Sequence, residues 1–273
     1  MTTDVKSYLR EWAMPHVLCP GCAHGIVLRA FLEAVGRLEL DQDKVAMVAG
    51  IGCSSRLIGY VDFCTLHGTH GRAPAFATGL KLARPELNVV VVTGDGDGLA
   101  IGGNHLIHAA RRNIDITVML LSNNIYGMTG GQASPITPQG AVASTTPAGN
   151  TEPPFDACKL LIGAGASFVG RVLAANPVVM TDLLVDAMVH RGFSFVEVVS
   201  DCPEYYGRYN QLRSGSEMLT WMTRMEQGVA DPLAEKGFVA HIPKSAVPAG
   251  MKTGVLHSEN RTVFEGVREP IPR

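Results

Sequence analysis

The sequence has almost no net charge: 23 Lys and Arg stand against 25 Asp and Glu, leaving −2 at pH 7. Phosphate binding needs a basic face, so nothing electrostatic argues for nucleic acid. No apolar run approaches the roughly 20 residues of a membrane helix. The first residues, MTTDVKSYLREW, are polar and contain no apolar core of a signal peptide. A cytoplasmic location without a membrane partner is therefore expected. No GK[ST] follows any glycine-rich turn, which excludes a P-loop, and no G-x-G-x-x-G opens a helix after a strand. No internal repeat is found. Six cysteines in a chain of 273 residues are too few for a disulfide framework and point to metal or redox chemistry.

The length suits one large α/β domain or two small ones, with a full core. Apolar strand patterns alternate with helical ones. Strands are expected at Lys44 to Ala49, Asn88 to Thr93, Asp115 to Leu121 and Phe193 to Val199. Helices are expected at His24 to Gly36, Gly71 to Arg84, Gly102 to Arg112 and 178 to 191. Near-continuous Val, Ile and Leu runs between helices indicate a doubly wound, mostly parallel sheet covered on both faces. Residues 1–210 would form the binding domain, and 211–273 a C-terminal helix and extended arm. The tail from Ala240 holds four prolines and reads equally well as an arm on a partner or as a disordered end. Residues 129–154, TGGQASPITPQGAVASTTPAGNTEPP, break the pattern. A loop this long inside a domain is usually functional or disordered, and it is expected to fold over a cofactor or a partner.

The run at 91–132 is the most informative. One β-branched strand ends at Gly94-Asp95-Gly96-Asp97, a second at Ser122-Asn123-Asn124, and one helical segment lies between. Mg²⁺ takes hard oxygen ligands and accompanies phosphates. Asp95, an Asn side chain and a nearby carbonyl would supply them. The glycines let the backbone approach a diphosphate. A plain glycine-rich turn would explain one such end better than two at this spacing.

The cysteines form the second constellation. Cys19-Pro-Gly-Cys22 precedes a helix, Cys53 ends the first strand and Cys202 follows the last. Ligands of an open parallel sheet bind beyond the carboxyl ends of its strands. Cys53, Asp95, Asn123 and Cys202 all fall there. Four thiolates can hold zinc or an iron–sulfur cluster; spacing alone leans to zinc. Cys64 and Cys158 lack such placement and suit buried structural thiols. His67 and His70 lie in a Gly-flanked turn, where His70 is taken as a diphosphate contact. His24 is read as structural, as are His105 and His108, which share a helical face.

The GDG, helix and Asn-turn arrangement resembles the thiamine-diphosphate signature. CPGCAHG, GIGCSSR, HGTHGRAPAFATGLKLARP, the run GDGDGLAIGGNHLIHAARRNIDITVMLLSNNIYGMTGGQASPITPQG and the later Cys202 together resemble the β subunit of 2-oxoacid:ferredoxin oxidoreductases. The likeness is closest to the 2-oxoglutarate branch and covers about residues 15 to 210. It implies a thiamine-diphosphate-binding fold, with that cofactor, Mg²⁺ and a 4Fe–4S cluster in this subunit. It implies a separate α subunit that completes the site, in a doubled heterotetramer. Oxidative decarboxylation of a 2-oxoacid would then yield an acyl-coenzyme A, with electrons passing to ferredoxin.

By matching motif, the cluster ligands would be Cys19, Cys22, Cys53 and Cys202. Mg²⁺ would take Asp95, Asn123 and the carbonyl of Ile125. Thiamine diphosphate would meet Ile51, Gly52, Cys53, Ser54, His70, Gly94, Asp95, Gly96, Asp97, Asn123, Gly127 and Met128. Relatives often carry Gly-Lys where this chain has Ser55-Arg56, and Pro where it has Asp201. The second departure leaves Cys202 the least secure ligand. With His70, Arg56 is the candidate catalytic residue: its guanidinium can pair bidentately with a distal carboxylate, which 2-oxoglutarate has and pyruvate lacks. The rival readings are a pyruvate or broad-specificity enzyme, a non-redox thiamine enzyme half, and a zinc-stabilised scaffold or electron carrier.

Overall fold

The computed structural model describes residues 4–212, 214–226 and 251–266. Its strands are β1 (Val45–Ala49), β2 (Cys64–His67), β3 (Asn88–Gly94), β4 (Thr117–Ser122), β5 (Ile125–Tyr126), β6 (Gln132–Ala133), β7 (Phe168–Leu173), β8 (Ser194–Val199) and β9 (Gly254–Ser258). Its helices are α1 (His24–Arg37), α2 (Ala73–Ala83), α3 (Gly103–Arg111), α4 (Ala157–Gly163), α5 (Pro177–Val189) and α6 (Gly215–Glu226).

Seven strands form one sheet in the order β2-β1-β3-β4-β8-β7-β9. All neighbours are parallel except β7 and β9. Side chains alternate across a strand, and that period builds two cores. Val90, Val92, Met119, Leu121, Val196 and Val198 pack with α1 and α5. Val89, Val91, Val118, Leu120 and Phe195 pack with α2, α3 and α4. The doubly wound, mostly parallel sheet expected from the sequence is what forms.

The expected strands and helices are present with ends moved by one or two residues. The exception precedes α3, where the chain already winds from Gly96 to Ile101 in a wide π-helical turn, closed by Gly102 N–H on the Asp97 carbonyl at 2.9 Å. Strands β2, β7 and β9 are additional. The long loop contributes β6, which pairs with β5 just before the loop in a small hairpin. Of the tail, residues 251–266 form β9 and a strap beyond it, while 240–250 and 267–273 lie outside the described residues.

The order places β2 on one side of β1 and β3 on the other. Connections from β1 and β3 therefore leave in opposite directions, and a crevice opens at their carboxyl ends. Ile51–Ser54 follow β1 and Asp95–Asp97 follow β3, so both motifs meet at that crevice.

Asn113 secures the far end of the sheet. It lies in the left-handed region at φ 53°. Its side-chain oxygen accepts from Ser167 Oγ at 2.7 Å and Phe193 N at 2.8 Å. Its amide nitrogen donates to the carbonyls of Arg261 and Thr262. Asn113→Ala leaves the buried Phe193 N–H unpaired and unties the strap. A loss of about 2–3 kcal/mol is expected, read as a lower denaturation midpoint with faster proteolysis at the strap; an unchanged midpoint would refute it.

Candidate functional site

At the switch point the chain forms an open cleft of about 450 Å³. Its walls are His24, Ile51–Ser54, His70, Gly94–Asp97, Leu121, Asn123 and Ile125–Thr129. Every residue expected to touch thiamine diphosphate is in this wall. Ile51 and Met128 present exposed apolar surface on its rim. Arg56 is not in the wall; it is exposed on the helical turn Ser54–Gly59. Burial and then the neighbouring Cys19 raise the Cys53 thiol, and the nearby Arg56 charge opposes them.

Asp97 organises the floor. Its carboxylate accepts from Thr93 Oγ1 at 2.6 Å, Gly71 N at 2.7 Å and Ile51 N at 3.1 Å. His70 Nδ1 approaches it to 2.7 Å, out of hydrogen-bond alignment. A Cβ on Gly50 would come within 2.3 Å of this carboxylate, so only glycine lets β1 end there. A Cβ on Gly96 would strike the Tyr126 ring at 2.2 Å, and Tyr126 donates to the Gly96 carbonyl at 3.1 Å.

Asp95 is equally buried but differently served. Burial pushes its pKa up to about 7, against the hydrogen bond from Ser134 and the neighbouring amides. None of the influences on it is a cation. The Asn123 side-chain amide, Asp95 Oδ1 and the Ile125 carbonyl converge here, and the Ile125 N–H donates to Asn123 Oδ1 at 3.3 Å. Turned over, the Asn123 nitrogen would instead donate to Asp95 Oδ1 and the Ile125 carbonyl at 3.3 and 2.8 Å. Converging hard oxygens around an uncompensated buried carboxylate fit Mg²⁺.

The second constellation adjoins the cleft. Cys19, Cys22, Cys53 and Cys202 are all free thiols. The Cα of Gly127 sits between two of them: a Cβ there would lie 3.4 Å from Cys202 Sγ and 3.6 Å from Cys53 Sγ. Burial pushes the Cys22 thiol up to about 12, and nearby Asp201, Cys202 and Cys53 add to the rise. Burial likewise raises Cys202 to about 11, with Cys53 and Cys19 contributing and the Tyr205 and Tyr206 amides opposing. Such mutual influence requires the four to lie together. Among the described residues, no three His, Cys, Asp or Glu side chains are arranged to hold a single metal ion.

Asp201, the departure that left Cys202 insecure, does the reverse. Its Oδ1 accepts from Ala23 N at 2.7 Å, tying the Cys202 segment to the start of α1 beside Cys22. Cys64, expected to be a buried structural thiol, is instead exposed on the edge strand β2. Cys158 is buried, with Sγ 3.3 Å from Glu197 Oε2, inside a network in which Arg171 bonds Glu197 and Asp156. His105 contacts Arg72 at 2.7 Å.

Sequence reasoning missed several members. His24 lines the cleft fully buried, its Nδ1 unpartnered, and burial lowers its pKa to about 4. Ser134 bonds Asp95 from the middle of the long loop at 2.7 Å. Its position there carried no periodic signal.

A parallel sheet with a cleft at its switch point is a cofactor-binding architecture. Residues 50–198 match the family of thiamine pyrophosphate enzymes, C-terminal TPP binding domain. The chain is 55% identical over 215 residues to the 2-oxoglutarate synthase subunit KorB of Methanothermobacter marburgensis, covering 79% of this chain and 75% of that one. It is 51% identical to the subunit of that name from Methanocaldococcus jannaschii, covering 79% and 80%. The 2-oxoglutarate:ferredoxin oxidoreductase of Magnetococcus marinus, solved with 2-oxoglutarate, coenzyme A and succinyl-CoA bound, superposes with a TM-score of 0.82 at 34% identity, covering 96% and 87%. The chain belongs to the KorB family, the β subunits of 2-oxoacid:ferredoxin oxidoreductases. Among its described residues no helix is long and apolar enough to cross a membrane.

The two aspartates should separate on substitution. Asp97→Ala strands three donors and is expected to cost about 3 kcal/mol or more, seen as a lower melting temperature without cofactor. Asp95→Ala removes a buried carboxylate without a cation. Its cofactor-free form should melt at or above wild type, yet retain no thiamine diphosphate after desalting. Equal melting losses in both would overturn this division of roles.

Proposed function

We propose that this chain is the β subunit of a 2-oxoglutarate:ferredoxin oxidoreductase. With coenzyme A the enzyme would convert 2-oxoglutarate to succinyl-CoA and CO₂ and pass the electrons to ferredoxin, or run the reverse. A separate α subunit would complete the active site, in the cytoplasm and as a doubled heterodimer. The observation that carries the reading is a shared wall: Cys53 lines the cleft, and Gly127, also in that wall, lies against the Cys53 and Cys202 sulfurs. An electron acceptor held by these thiols would touch the cofactor cleft.

Thiamine diphosphate, when bound, supplies the electron sink for decarboxylation. The chain supplies its seat. Asp95, Asn123 and the Ile125 carbonyl would hold Mg²⁺ against the diphosphate. Gly96 keeps the backbone close, and Asp97 holds the Ile51 and Gly71 amides and His70 around the cleft. Cys19, Cys22, Cys53 and Cys202 would hold the 4Fe–4S cluster. The raised pKa values of Cys22, Cys53 and Cys202 mean that iron must displace protons on binding there. A four-thiol site that shares Cys53 with the cofactor cleft suits an electron-carrying cluster better than a structural zinc ion. This also tells against a non-redox thiamine enzyme half, which needs no such thiols.

Iron and sulfide analysis of the anaerobically purified protein tests the cluster. Serine substitution at Cys19, Cys22, Cys53 or Cys202 should lower iron content, and at Cys64 or Cys158 should not. Loss of iron with Cys64→Ser but not with Cys202→Ser would show the ligand set to be wrong.

The choice of 2-oxoglutarate over pyruvate rests on the relatives and on Arg56. A guanidinium beside Cys53 offers a charge-assisted pair to a distal carboxylate. Steady-state comparison of the holoenzyme should favour 2-oxoglutarate. Arg56→Met should lower its kcat/KM about tenfold or more while sparing pyruvate, with iron content unchanged. Equal losses on both substrates would remove Arg56 from substrate selection.

A further inference from the structure

The two halves of the proposed Mg²⁺ site come from different strand ends, Asp95 after β3 and Asn123 after β4. The β3–β4 ladder ends at Gly94 and Leu121, one and two residues short of these side chains. The long loop reaches both. Ser134 Oγ donates to Asp95 Oδ2 at 2.7 Å. Ser134 N–H donates to Thr137 Oγ1 at 2.7 Å, and that hydroxyl donates to the Asn124 carbonyl at 2.7 Å. Both residues are buried, Thr137 completely. Thr137 is held in turn, its carbonyl accepting from Asn150 Nδ2 at 2.7 Å.

The connectivity has a consequence for the metal. Ser134 occupies Asp95 Oδ2, leaving Oδ1 to face Asn123. The carboxylate is thereby turned to offer one oxygen. Thr137 holds the Asn124 carbonyl, and Asn124 is in the left-handed region at φ 64°, an uncommon conformation for a residue with a side chain. That turn aims Asn123 and the Ile125 carbonyl at Asp95. We propose that Ser134 and Thr137 form a clamp, a pair of positioning residues that sets the geometry of the Mg²⁺ and diphosphate site and links the order of loop 129–154 to metal occupancy.

The proposal rests on the reading of Asp95 and Asn123 as Mg²⁺ ligands. Hydrogen bonds behind metal ligands are typically worth 10–100-fold in metal affinity. Coupling is reciprocal, so metal and cofactor must also steady the loop.

The test uses the full chain with its partner subunit, titrated with Mg²⁺ at fixed thiamine diphosphate, with retained cofactor measured after desalting. Ser134→Ala and Thr137→Val are each expected to raise the Mg²⁺ concentration for half-retention about tenfold or more. Thr137→Ser keeps the hydroxyl and should stay within about threefold of wild type by the same scale. Hydrogen exchange at residues 134–150 should slow on adding Mg²⁺ and thiamine diphosphate to wild type, and much less in Ser134→Ala. A lower melting temperature for Ser134→Ala with unchanged Mg²⁺ dependence would mean a merely structural role and overturn the clamp. Loop exchange indifferent to Mg²⁺ and cofactor in wild type would overturn the link to the loop. Asp95→Ala separates the two levels of argument. If it retains cofactor normally, the metal reading itself fails. If it loses cofactor while Ser134→Ala titrates like wild type, only the clamp fails.

Discussion

Asp97 puts one buried carboxylate where three pieces of chain must meet. Thr93 comes from the end of β3, Ile51 from the turn after β1, and His70 and Gly71 from the turn before α2. Two of the donors are backbone amides that no sheet or helix satisfies. Left unpaired in a buried place, each would cost about 1–3 kcal/mol. The carboxylate therefore fixes the relative positions of the switch-point loops before any cofactor arrives. The requirement reaches back into the sequence. Gly50 is forced by the space this carboxylate fills, and Gly71, at φ 72°, by its approach to Gly102 and Ile101.

Asp95, two residues earlier, shows the opposite economy. Both carboxylates are nearly inaccessible, at 2% and 3% exposure. Asp97 is saturated by donors, whereas Asp95 has Ser134, a few amides and no cation, so burial lifts its pKa to about 7. A buried anion without a counterion is costly, and the proposed divalent ion would relieve that cost. The fold thus keeps one carboxylate for shape and leaves the other short of positive charge. The same division separates the cysteines. Cys158 is tied into the Glu197, Arg171 and Asp156 network, and Ser122, next to Asn123, donates to Glu197 from the other side at 2.9 Å. Cys53 and Cys202 instead face the empty Cα of Gly127.

What could be read in advance follows from which forces are local. Val89 to Val92 and Val118 to Leu121 are buried on both faces, so their continuous apolar runs announce central parallel strands. Strand β2 is short and half-exposed at the sheet edge, where CTLH offers no such run. In β7, Gly170 and Arg171 interrupt the pattern, and Arg171 is there for Glu197 on the neighbouring strand. The π-helical turn at Gly96–Ile101 depends on Asp97 and its distant donors, which no window of sequence contains. At the site, the strand-end motifs put the cleft residues together because strand ends converge by topology. Ser134 and His24 arrive there by tertiary packing alone. Asp201 was misjudged for a related reason: it was weighed against proline at one position, while its partner, Ala23, is 178 residues away.

The cleft and the thiols are one construction rather than two neighbouring ones. Ile51 is held by Asp97, and two residues later Cys53 turns its sulfur toward Gly127. Gly127 follows Tyr126, whose hydroxyl is fixed on the Gly96 carbonyl. A shift of the diphosphate seat at Gly96 would move Tyr126, then Gly127, and so the gap between two thiols. If the thiols hold the proposed electron acceptor, a constant separation from the cofactor serves the transfer, and a short chain of packed backbone would keep it. A Cβ on Gly127 would lie in van der Waals contact with both sulfurs, 3.4 Å from Cys202 and 3.6 Å from Cys53. The smallest residue in the wall therefore joins the chemistry of the cleft to the path by which electrons would leave it.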